Sequence, residues 1–529
     1  MKNIYSPEDI DRIMAATIGN LSEADDMTPT DREVFMNRRQ AFIDTVGLKV
    51  AAEVLANRND GQRVVVFAGD DICGAYALST ARQLHQQLCP AEVYLINIGG
   101  NLLKADTVIA RDKFLDIAGD EFLFETIDLN LIMPEMDEHL IIVDGLFGRE
   151  YTSPLRGGYQ AMARSINETG AKVISIDLPS GMSTELSVGM INRNIVHADI
   201  TLTIVGPTLA FYMPENAELL GKWKTLQLPL NRSAVKSTRC AARLIDAAAI
   251  RSVLAPRDEY ASKADLGHAL IFAGSYGMLG AAVLSTRAAC RSGCGKVTCH
   301  GPRCGFYTMQ TTVPSAMFKT DGGDFDIRNF EADENYDAIA VGPGIGRSNA
   351  TVSGLDVFLK ACHAEKRPLI LDADALNCIA SRPVLLDFIP PRSIITPHPG
   401  EFDRLFGPQP SASARLLKAI EMSHKYKLII VLKSHFTQTV WYDGSILVNS
   451  SGTEALATAG SGDVLTGLTA GFVAQQIAPE IAAVAAVFIH GVAGKAAACI
   501  NGIRGTTAED IADAIGPAID SIIYPEKDS

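Results

Sequence analysis

Several features that would narrow the function are scarce or missing in this 529-residue sequence. Cationic residues are not in excess, since 47 Lys and Arg face 61 Asp and Glu and the net charge is −14. Non-specific nucleic-acid binding needs clustered Lys and Arg to neutralise phosphates, so we expect no nucleic-acid partner. Aromatic residues make up only 7% of the chain, whereas glycine occurs 44 times. This combination is typical of α/β proteins with many tight turns between strands and helices.

The sequence also lacks the marks of export and of membrane insertion. No apolar run follows Lys2, so the start is not a secretory signal and we expect a cytoplasmic protein. The most apolar stretch, 481–500, is interrupted by His490, Gly491 and Lys495. This pattern favours buried helices over a membrane span.

A zinc-type cysteine pattern is missing as well. Four of the ten cysteines, Cys290, Cys294, Cys299 and Cys304, fall within fifteen residues, but they do not form a pair of CxxC motifs. Cys290 and Cys294 lie in an Ala- and Gly-rich helical pattern, where cysteine acts as a small apolar residue. We therefore favour a structural role over metal binding.

The length exceeds what one hydrophobic core supports, and two domains are expected. Continuous β-branched runs alternate with helical stretches in both halves, which predicts α/β folds with parallel, doubly wound sheets. A polar, Pro-containing stretch at 226–238 separates the halves, so the predicted domains are 1–232 and 233–529. In the first half the predicted strands are 63–68, 92–97, 140–144, 172–177 and 200–204, and in the second half 268–273, 296–299, 337–341, 368–372, 393–396 and 428–433.

Ligands of such folds bind at the carboxyl ends of the strands. Two Gly-rich turns, 274–282 and 342–346, follow strands of the second half and allow close backbone approach to a ligand. Asp372 and Asp374 end another strand, where they could orient a substrate, hold Mg²⁺ through water, or cap a helix. His398 lies between two prolines and is favoured as a ligand contact over a structural histidine. Glu401 could equally interact with the dipole of a helix as a first-turn residue.

The strongest motif is Ala459-Gly460-Ser461-Gly462-Asp463, in which small residues lead into a helix. The amino-terminal N–H groups of that helix could stabilise a transferring phosphoryl group. Asp463 could then accept the proton of an attacking hydroxyl as a general base, and the alternative is a helix cap. Lys433 and the residues after it offer a cation and hydroxyls to nucleotide phosphates, unless Lys433 is simply a surface lysine.

With these motifs in order, 263–511 resembles the ADP- or ATP-dependent NAD(P)H-hydrate dehydratases of the ribokinase-like superfamily. The resemblance implies dehydration of (6S)-NAD(P)HX to NAD(P)H at the expense of ADP or ATP with Mg²⁺. It implies that hydrated NAD(P)H contacts Ala281, Gly344, His398 and Asp463. It implies that the adenine nucleotide contacts Lys433, Ser434, His435, Phe436, Thr437 and Gly462. A departure is Lys433-Ser434, where the family usually has Lys-Gly.

Residues 60–230 resemble the epimerase domain that is fused to this dehydratase in bifunctional NAD(P)H-hydrate repair enzymes. The supporting segments are 143–148, 175–181 and 211–216. The resemblance implies a Rossmann-like fold, a K⁺ ion held by Asp144, and substrate contacts from Asp177 and Ser180. It also implies small-molecule partners, and we expect a homo-oligomer with no membrane partner.

The first half departs from the epimerase pattern at its phosphate-binding loop. Neither asparagine of the family's Asn-Asn-Gly-Gly-Asp-Gly loop is present in Gly69-Asp70-Asp71-Ile72-Cys73-Gly74. Gly-Thr-Gly-Leu is replaced by Gly148-Arg149-Glu150-Tyr151. These changes predict little or no epimerase activity, and the alternative is a divergent but working epimerase.

Two other functions compete with hydrate repair. One is a small-molecule kinase of the same superfamily, of the hydroxymethylpyrimidine or thiazole-alcohol type. The other is a nucleotide-binding scaffold without catalysis, against which the presence of Asp463 argues.

Overall fold

The computed structural model describes residues 1–98, 102–126, 133–151, 155–186, 194–333 and 335–525. These residues form two compact α/β units, Ile4–Ala241 and Ala242–Ser529, and the second unit also includes Met1–Asn3. The strand at the start of the chain, β1 (Lys2–Ile4), belongs to the sheet of the second unit.

The first unit is built on a seven-stranded parallel sheet in the order β4-β3-β2-β5-β6-β7-β8. Its apolar strands are buried because helices cover both faces, as the doubly wound prediction requires. The strands are β2 (Val64–Ala68), β3 (Ala91–Ile96), β4 (Leu123–Thr126), β5 (Ile141–Gly145), β6 (Lys172–Ile176), β7 (Ile200–Thr203) and β8 (Lys222–Thr225). The helices are α1 (Pro7–Ile18), α2 (Pro29–Asn57), α3 (Ile72–Gln86), α4 (Ala105–Ala118), α5 (Gly157–Glu168), α6 (Ala217–Leu220) and α7 (Arg232–Ser237).

The division between the units falls after Ala241, whereas the sequence placed it between 232 and 233. The difference comes from α7, which packs on α1 of the first unit. Asn231, the residue before α7, donates its backbone N–H to Thr17 Oγ1 at 3.1 Å and its side-chain amide to the Ala16 carbonyl at 3.1 Å. The polar sequence that suggested a linker is therefore partly a short helix attached to the first unit.

The second unit contains an eleven-stranded sheet in the order β1-β9-β18-β17-β16-β15-β14-β13-β10-β11-β12. Six consecutive pairs from β12 to β16 are parallel, and β17 is antiparallel to both of its neighbours. The strands are β9 (Ala242–Ile245), β10 (His268–Phe272), β11 (Lys296–Gly301), β12 (Met317–Thr320), β13 (Ala338–Val341), β14 (Ile370–Leu371), β15 (Ile394–Ile395), β16 (Ile429–Leu432), β17 (Gln438–Val440) and β18 (Ile446–Asn449).

Helices surround this sheet, and the long ones carry most of the core of the second unit. They are α8 (Ala247–Arg251), α9 (Leu279–Arg291), α10 (Phe306–Thr312), α11 (Asn349–Glu365), α12 (Ala373–Ser381), α13 (Pro399–Phe406), α14 (Ala412–Tyr426), α15 (Ser461–Ala474), α16 (Pro479–Asn501), α17 (Ala508–Asp513) and α18 (Ile515–Ile523). Within the described chain, α16 alone is long and apolar enough to cross a membrane. However, 67% of its most apolar window is buried inside the protein.

Glycines on α15 allow it to pack closely against α9. A Cβ placed on Gly467 would lie 1.8 Å from the Ser285 carbonyl oxygen, and one on Gly471 would lie 1.9 Å from Ser292 Oγ. No side chain fits at such distances without moving the helices apart. This contact fixes α15, and with it the turn that precedes it.

We expect Gly467→Ala to destabilise the protein by about 2 kcal/mol, because the added methyl group meets a backbone carbonyl that cannot rotate away. Thermal unfolding should show this as a Tm lower by several degrees. Gly516→Ala is the matched control, since Gly516 is also helical and a Cβ there would meet nothing within 4 Å. Equal Tm values for the two variants would contradict the close α9–α15 contact.

Candidate active site

The turn before α15 brings the predicted motif to the carboxyl edge of the second sheet. Gly460 precedes the helix with φ +86°, a backbone conformation that favours glycine, and a Cβ there would lie 2.4 Å from Leu284 Cδ1. Among the residues that the structure describes, no side chain caps the amino terminus of α15. Since the first N–H groups of a helix have no intrahelical acceptor, this end is available to an anionic ligand.

Asp463 lies in the first turn of α15 and is partly buried. Burial is the main reason why its pKa is raised to about 7, and the negative charge of Asp372 acts in the same direction. Lys433 opposes the rise, whereas Asp374 and Glu401 add to it. No described residue donates a hydrogen bond to the Asp463 carboxylate, so the helix-cap alternative has no contact to support it.

Asp372 and Lys433 form an ion pair beside this turn. Asp372 follows β14 and is 1% exposed, and Lys433 follows β16. Lys433 Nζ lies 2.8 Å from Asp372 Oδ1, and Thr466 Oγ1 of α15 donates to Asp372 Oδ2 at 2.6 Å. Asp372 occupies the position before α12 but makes no capping hydrogen bond. The structure thus gives Asp372 a partner that none of its three sequence interpretations had named.

A cavity of about 400 Å³ lies next to Lys433 and the α15 turn. Most residues that the resemblance assigned to the nucleotide line it: Lys433, Ser434, His435, Thr437 and Gly462. Phe436 is not part of the lining, and its ring instead packs edge-on against His435 with 4.7 Å between centroids. Sequence reasoning missed other lining residues, among them Asn449, Thr453, Glu454 and His490, whereas Ser461 belongs to the predicted motif.

His490, in the middle of α16, is a buried histidine on the cavity wall. Its Nε2 lies 3.2 Å from Ser461 Oγ. Burial, assisted by the charge of Lys433, lowers the pKa of His490 to about 4, so the ring is neutral at physiological pH. Nothing in the local sequence marks this histidine, because its partner Ser461 lies 29 residues earlier in the chain.

Ala281 and Gly344, both predicted to contact hydrated NAD(P)H, are neighbours. Gly344 has φ +61°, and a Cβ on it would lie 3.0 Å from Ala281 Cβ and 2.8 Å from the Met278 carbonyl oxygen. Ser275 Oγ donates to the Gly344 carbonyl at 2.8 Å and joins the two Gly-rich loops. The sequence motifs 274–282 and 342–346 therefore form one surface.

His398 caps α13. Its Nδ1 accepts the Gly400 N–H at 3.0 Å, while Glu401 Oε2 accepts the His398 backbone N–H at 2.9 Å. The imidazole side chain remains 51% exposed, with Nε2 3.4 Å from Glu401 Oε1. The structural role that the sequence analysis ranked second is thus present, and the exposed face of the ring stays available for a ligand.

The carboxylates expected to hold Mg²⁺ through water already make contacts with protein groups. Both oxygens of Asp372 are engaged by Lys433 and Thr466. Asp374 accepts the Gly346 N–H at 3.0 Å and the Asn377 amide at 3.4 Å. No cluster of three or more His, Cys, Asp or Glu suited to a metal occurs among the residues described. A Mg²⁺ ion here would therefore be held through water and the nucleotide phosphates, and not by a cluster of protein ligands.

In the first unit, Asp144 is completely buried and bonded to protein groups. Its oxygens accept hydrogen bonds from Ser180 Oγ at 2.5 Å, Ser175 Oγ at 2.8 Å, the Ser180 N–H at 2.9 Å and the Leu146 N–H at 3.4 Å. Burial nevertheless raises the pKa of Asp144. Four donors leave this carboxylate no lone pair directed at a cation, so the predicted K⁺ ligand does not fit, and no step is derived through K⁺.

Asp177 and Ser180, the predicted substrate contacts of the first unit, are also bound internally. Ser180 donates to Asp144, and Asp177 forms an ion pair with Arg149, whose Nη1 lies 3.5 Å from Asp177 Oδ2. Arg149 is 10% exposed and reaches Asp11 Oδ1 through Nε at 3.2 Å. Asp177 has φ +65°, in the left-handed region. The Arg149 guanidinium is thus paired with the Asp177 carboxylate, which was expected to contact the substrate.

The loop that should hold pyrophosphate in the first unit has become an ordinary helix start. Asp71 caps α3 by accepting the N–H groups of Cys73 at 2.8 Å and Gly74 at 3.3 Å. Burial, with the nearby charge of Glu150, raises the pKa of Asp71 to about 6. The Cys73 and Tyr76 side chains are buried beneath this loop.

Comparison with known proteins agrees with both folds. The family described as NAD(P)H-hydrate dehydratase matches residues 269–517, and the family described as YjeF-related protein N-terminus matches residues 39–210. A bifunctional NAD(P)H-hydrate repair enzyme from Moorella thermoacetica is 30% identical over 498 residues, which cover 89% of this chain and 91% of the relative. A second, from Salinibacter ruber, is 32% identical and covers 71% of each chain.

A solved structure, the ADP/ATP-dependent NAD(P)H-hydrate dehydratase from Bacillus subtilis co-crystallized with ATP/Mg²⁺, is 29% identical. It covers 53% of this chain and 99% of its own, with a TM-score of 0.47.

The chain thus joins an α/β unit of the YjeF-related N-terminal family to an α/β unit of the NAD(P)H-hydrate dehydratase family. It belongs to the family of bifunctional NAD(P)H-hydrate repair enzymes.

Proposed function

We propose that the second unit dehydrates (6S)-NAD(P)HX to NAD(P)H and consumes ADP or ATP. One observation carries this proposal: Asp463 is a partly buried carboxylate with a pKa near 7 that receives no hydrogen bond from any described residue. It lies at the α15 terminus, which no described side chain caps, beside the cavity lined by Lys433. A base with this pKa is half ionised at neutral pH, where general-base catalysis is most effective.

The residues support a phosphorylation followed by an elimination. Asp463 takes the proton of the substrate's C6 hydroxyl, and the hydroxyl oxygen attacks the terminal phosphorus of ADP or ATP. AMP or ADP is the leaving group. The N–H groups at the start of α15 and the Lys433 ammonium stabilise the charge on the transferring phosphoryl group. The ring nitrogen lone pair then expels phosphate from C6, and loss of a proton from C5 restores the C5–C6 double bond.

The test is incubation of the full-length protein with separated (6S)-NADHX and ADP or ATP. We expect absorbance near 340 nm to recover while one phosphate is released for each NADH formed. A stable phosphorylated product without recovery of NADH would favour the kinase alternative. Nucleotide binding without turnover of either kind would favour the scaffold.

We further propose that the first unit retains the epimerase fold without epimerase activity. Supporting this, Asp144 is saturated by protein donors and Asp177 is paired with Arg149. A substrate would have to displace the Arg149 guanidinium before it reached Asp177. The displaced guanidinium would then lack its carboxylate partner.

A further inference from the structure

The Lys433 ammonium has two carboxylates within electrostatic reach but pairs with only one of them. It contacts Asp372 Oδ1 at 2.8 Å, whereas Asp463, whose charge it influences, receives no hydrogen bond from it. A lysine has a long, flexible stem and can choose between such partners. The carboxylate that pairs with Lys433 determines where the ammonium is held. It also determines whether Asp463 remains unpaired.

Two features favour Asp372 over Asp463 as the partner of Lys433. Asp372 is 1% exposed, and leaving a buried carboxylate unpaired is costly. Its second oxygen accepts the Thr466 hydroxyl at 2.6 Å, which orients the first oxygen toward Lys433. Thr466 lies one turn after Gly462, and a Cβ on Gly462 would be 3.2 Å from Lys433 Nζ. The pair therefore holds the ammonium directly beside the amino terminus of α15.

We propose that Asp372, oriented by Thr466, is a positioning residue that holds Lys433 at the α15 terminus for the nucleotide phosphates and keeps it from pairing with Asp463. This inference rests on the proposed dehydratase function. In the free protein Asp372 neutralises the ammonium, and when a nucleotide binds, its phosphates share the same cation. Throughout the cycle Asp463 remains available as the base.

The decisive variant is Asp372→Asn, which keeps the size of the side chain and removes its charge. We expect Lys433 then to pair with Asp463. We expect the Kd of ADP, measured by titration calorimetry without substrate, to rise about tenfold or more, and kcat to fall as well. The charged groups around Asp463 are Lys433, Asp372, Asp374 and Glu401. Loss of Asp372 therefore shifts the acid limb of the kcat profile to lower pH.

Two further variants separate charge from orientation. Thr466→Val keeps the ion pair but removes one orienting hydrogen bond, so the KM of ADP should rise several-fold while the acid limb stays in place. Asp520→Asn removes an equal charge from an exposed position on α18. It should change neither the KM of ADP nor the acid limb of the kcat profile.

The proposal is overturned if Asp372→Asn has the same Kd for ADP and the same acid limb of the kcat profile as the control Asp520→Asn. If Asp372→Asn does not fold, as judged by circular dichroism, Thr466→Val decides, and an unchanged KM for ADP overturns it. Failure of the wild-type protein to dehydrate (6S)-NADHX would instead refute the proposed function. The binding measurement distinguishes the two cases because it requires no turnover.

Discussion

Asp463→Asn is expected to lower kcat for (6S)-NADHX dehydration by about 10²–10⁴-fold, the usual contribution of a general base. Asparagine preserves the volume of the side chain but cannot take the hydroxyl proton. The Kd of ADP should stay within a few-fold of wild type, because Lys433 and the α15 terminus are untouched. Rapid-quench or absorbance kinetics at saturating nucleotide measure the effect, and more than a tenth of wild-type kcat would exclude Asp463 as the base.

The pH dependence of stability provides the control that Asp463→Asn is folded. The ordinary pKa of an aspartate is near 3.8, and burial raises that of Asp463 to about 7. Between these values the unfolded chain is ionised while the folded protein keeps its proton, so ionisation costs the wild type stability as pH rises from 4 to 7. The variant escapes this cost and should be about 2 kcal/mol more stable at pH 8, with no advantage below pH 4.

The regular part of the fold could be predicted because its strands are continuous apolar runs. The runs at 63–68, 172–177 and 428–433 became β2, β6 and β16 with bounds shifted by one residue at most ends. Strands with exposed or polar residues were missed, and so was the short, buried strand β18 (Ile446–Asn449). β12 (Met317–Thr320) and β8 (Lys222–Thr225) end their sheets and are only partly buried, so they lack the pattern of a central strand. β1 was missed because three residues carry no period.

The candidate site could be predicted only where it is local in sequence. The turn at 459–463 was visible because glycine, a small residue and a carboxylate occur together at a helix start. The link from Asp372 to Lys433 spans 61 residues and that to Thr466 spans 94, so only the fold brings them together. The same holds for Arg149, which the sequence marked as a departure but whose pairing with Asp177 depends on the order of β5 and β6.

Epimerase activity of the first unit provides the second large expected effect. When (6R)-NADHX is incubated with the full-length protein and K⁺, we expect its conversion to the S form to proceed no faster than without protein. The reason is that the Arg149 guanidinium lies 3.5 Å from Asp177, and that Asp144 and Ser180 are bonded to each other. With ADP added, only the S form should be consumed. Chiral chromatography of the two epimers over time measures both rates.

The bifunctional relative from Moorella thermoacetica supplies the comparison under the same conditions. Replacing K⁺ with Na⁺ should leave the rates of the present protein unchanged, because all four hydrogen bonds to Asp144 come from protein groups. Rapid, K⁺-dependent loss of the R form would show that Arg149 moves aside and that Asp177 still meets a substrate. In that case the Arg149–Asp177 ion pair would open for the substrate, and Arg149→Ala should speed the epimerisation further.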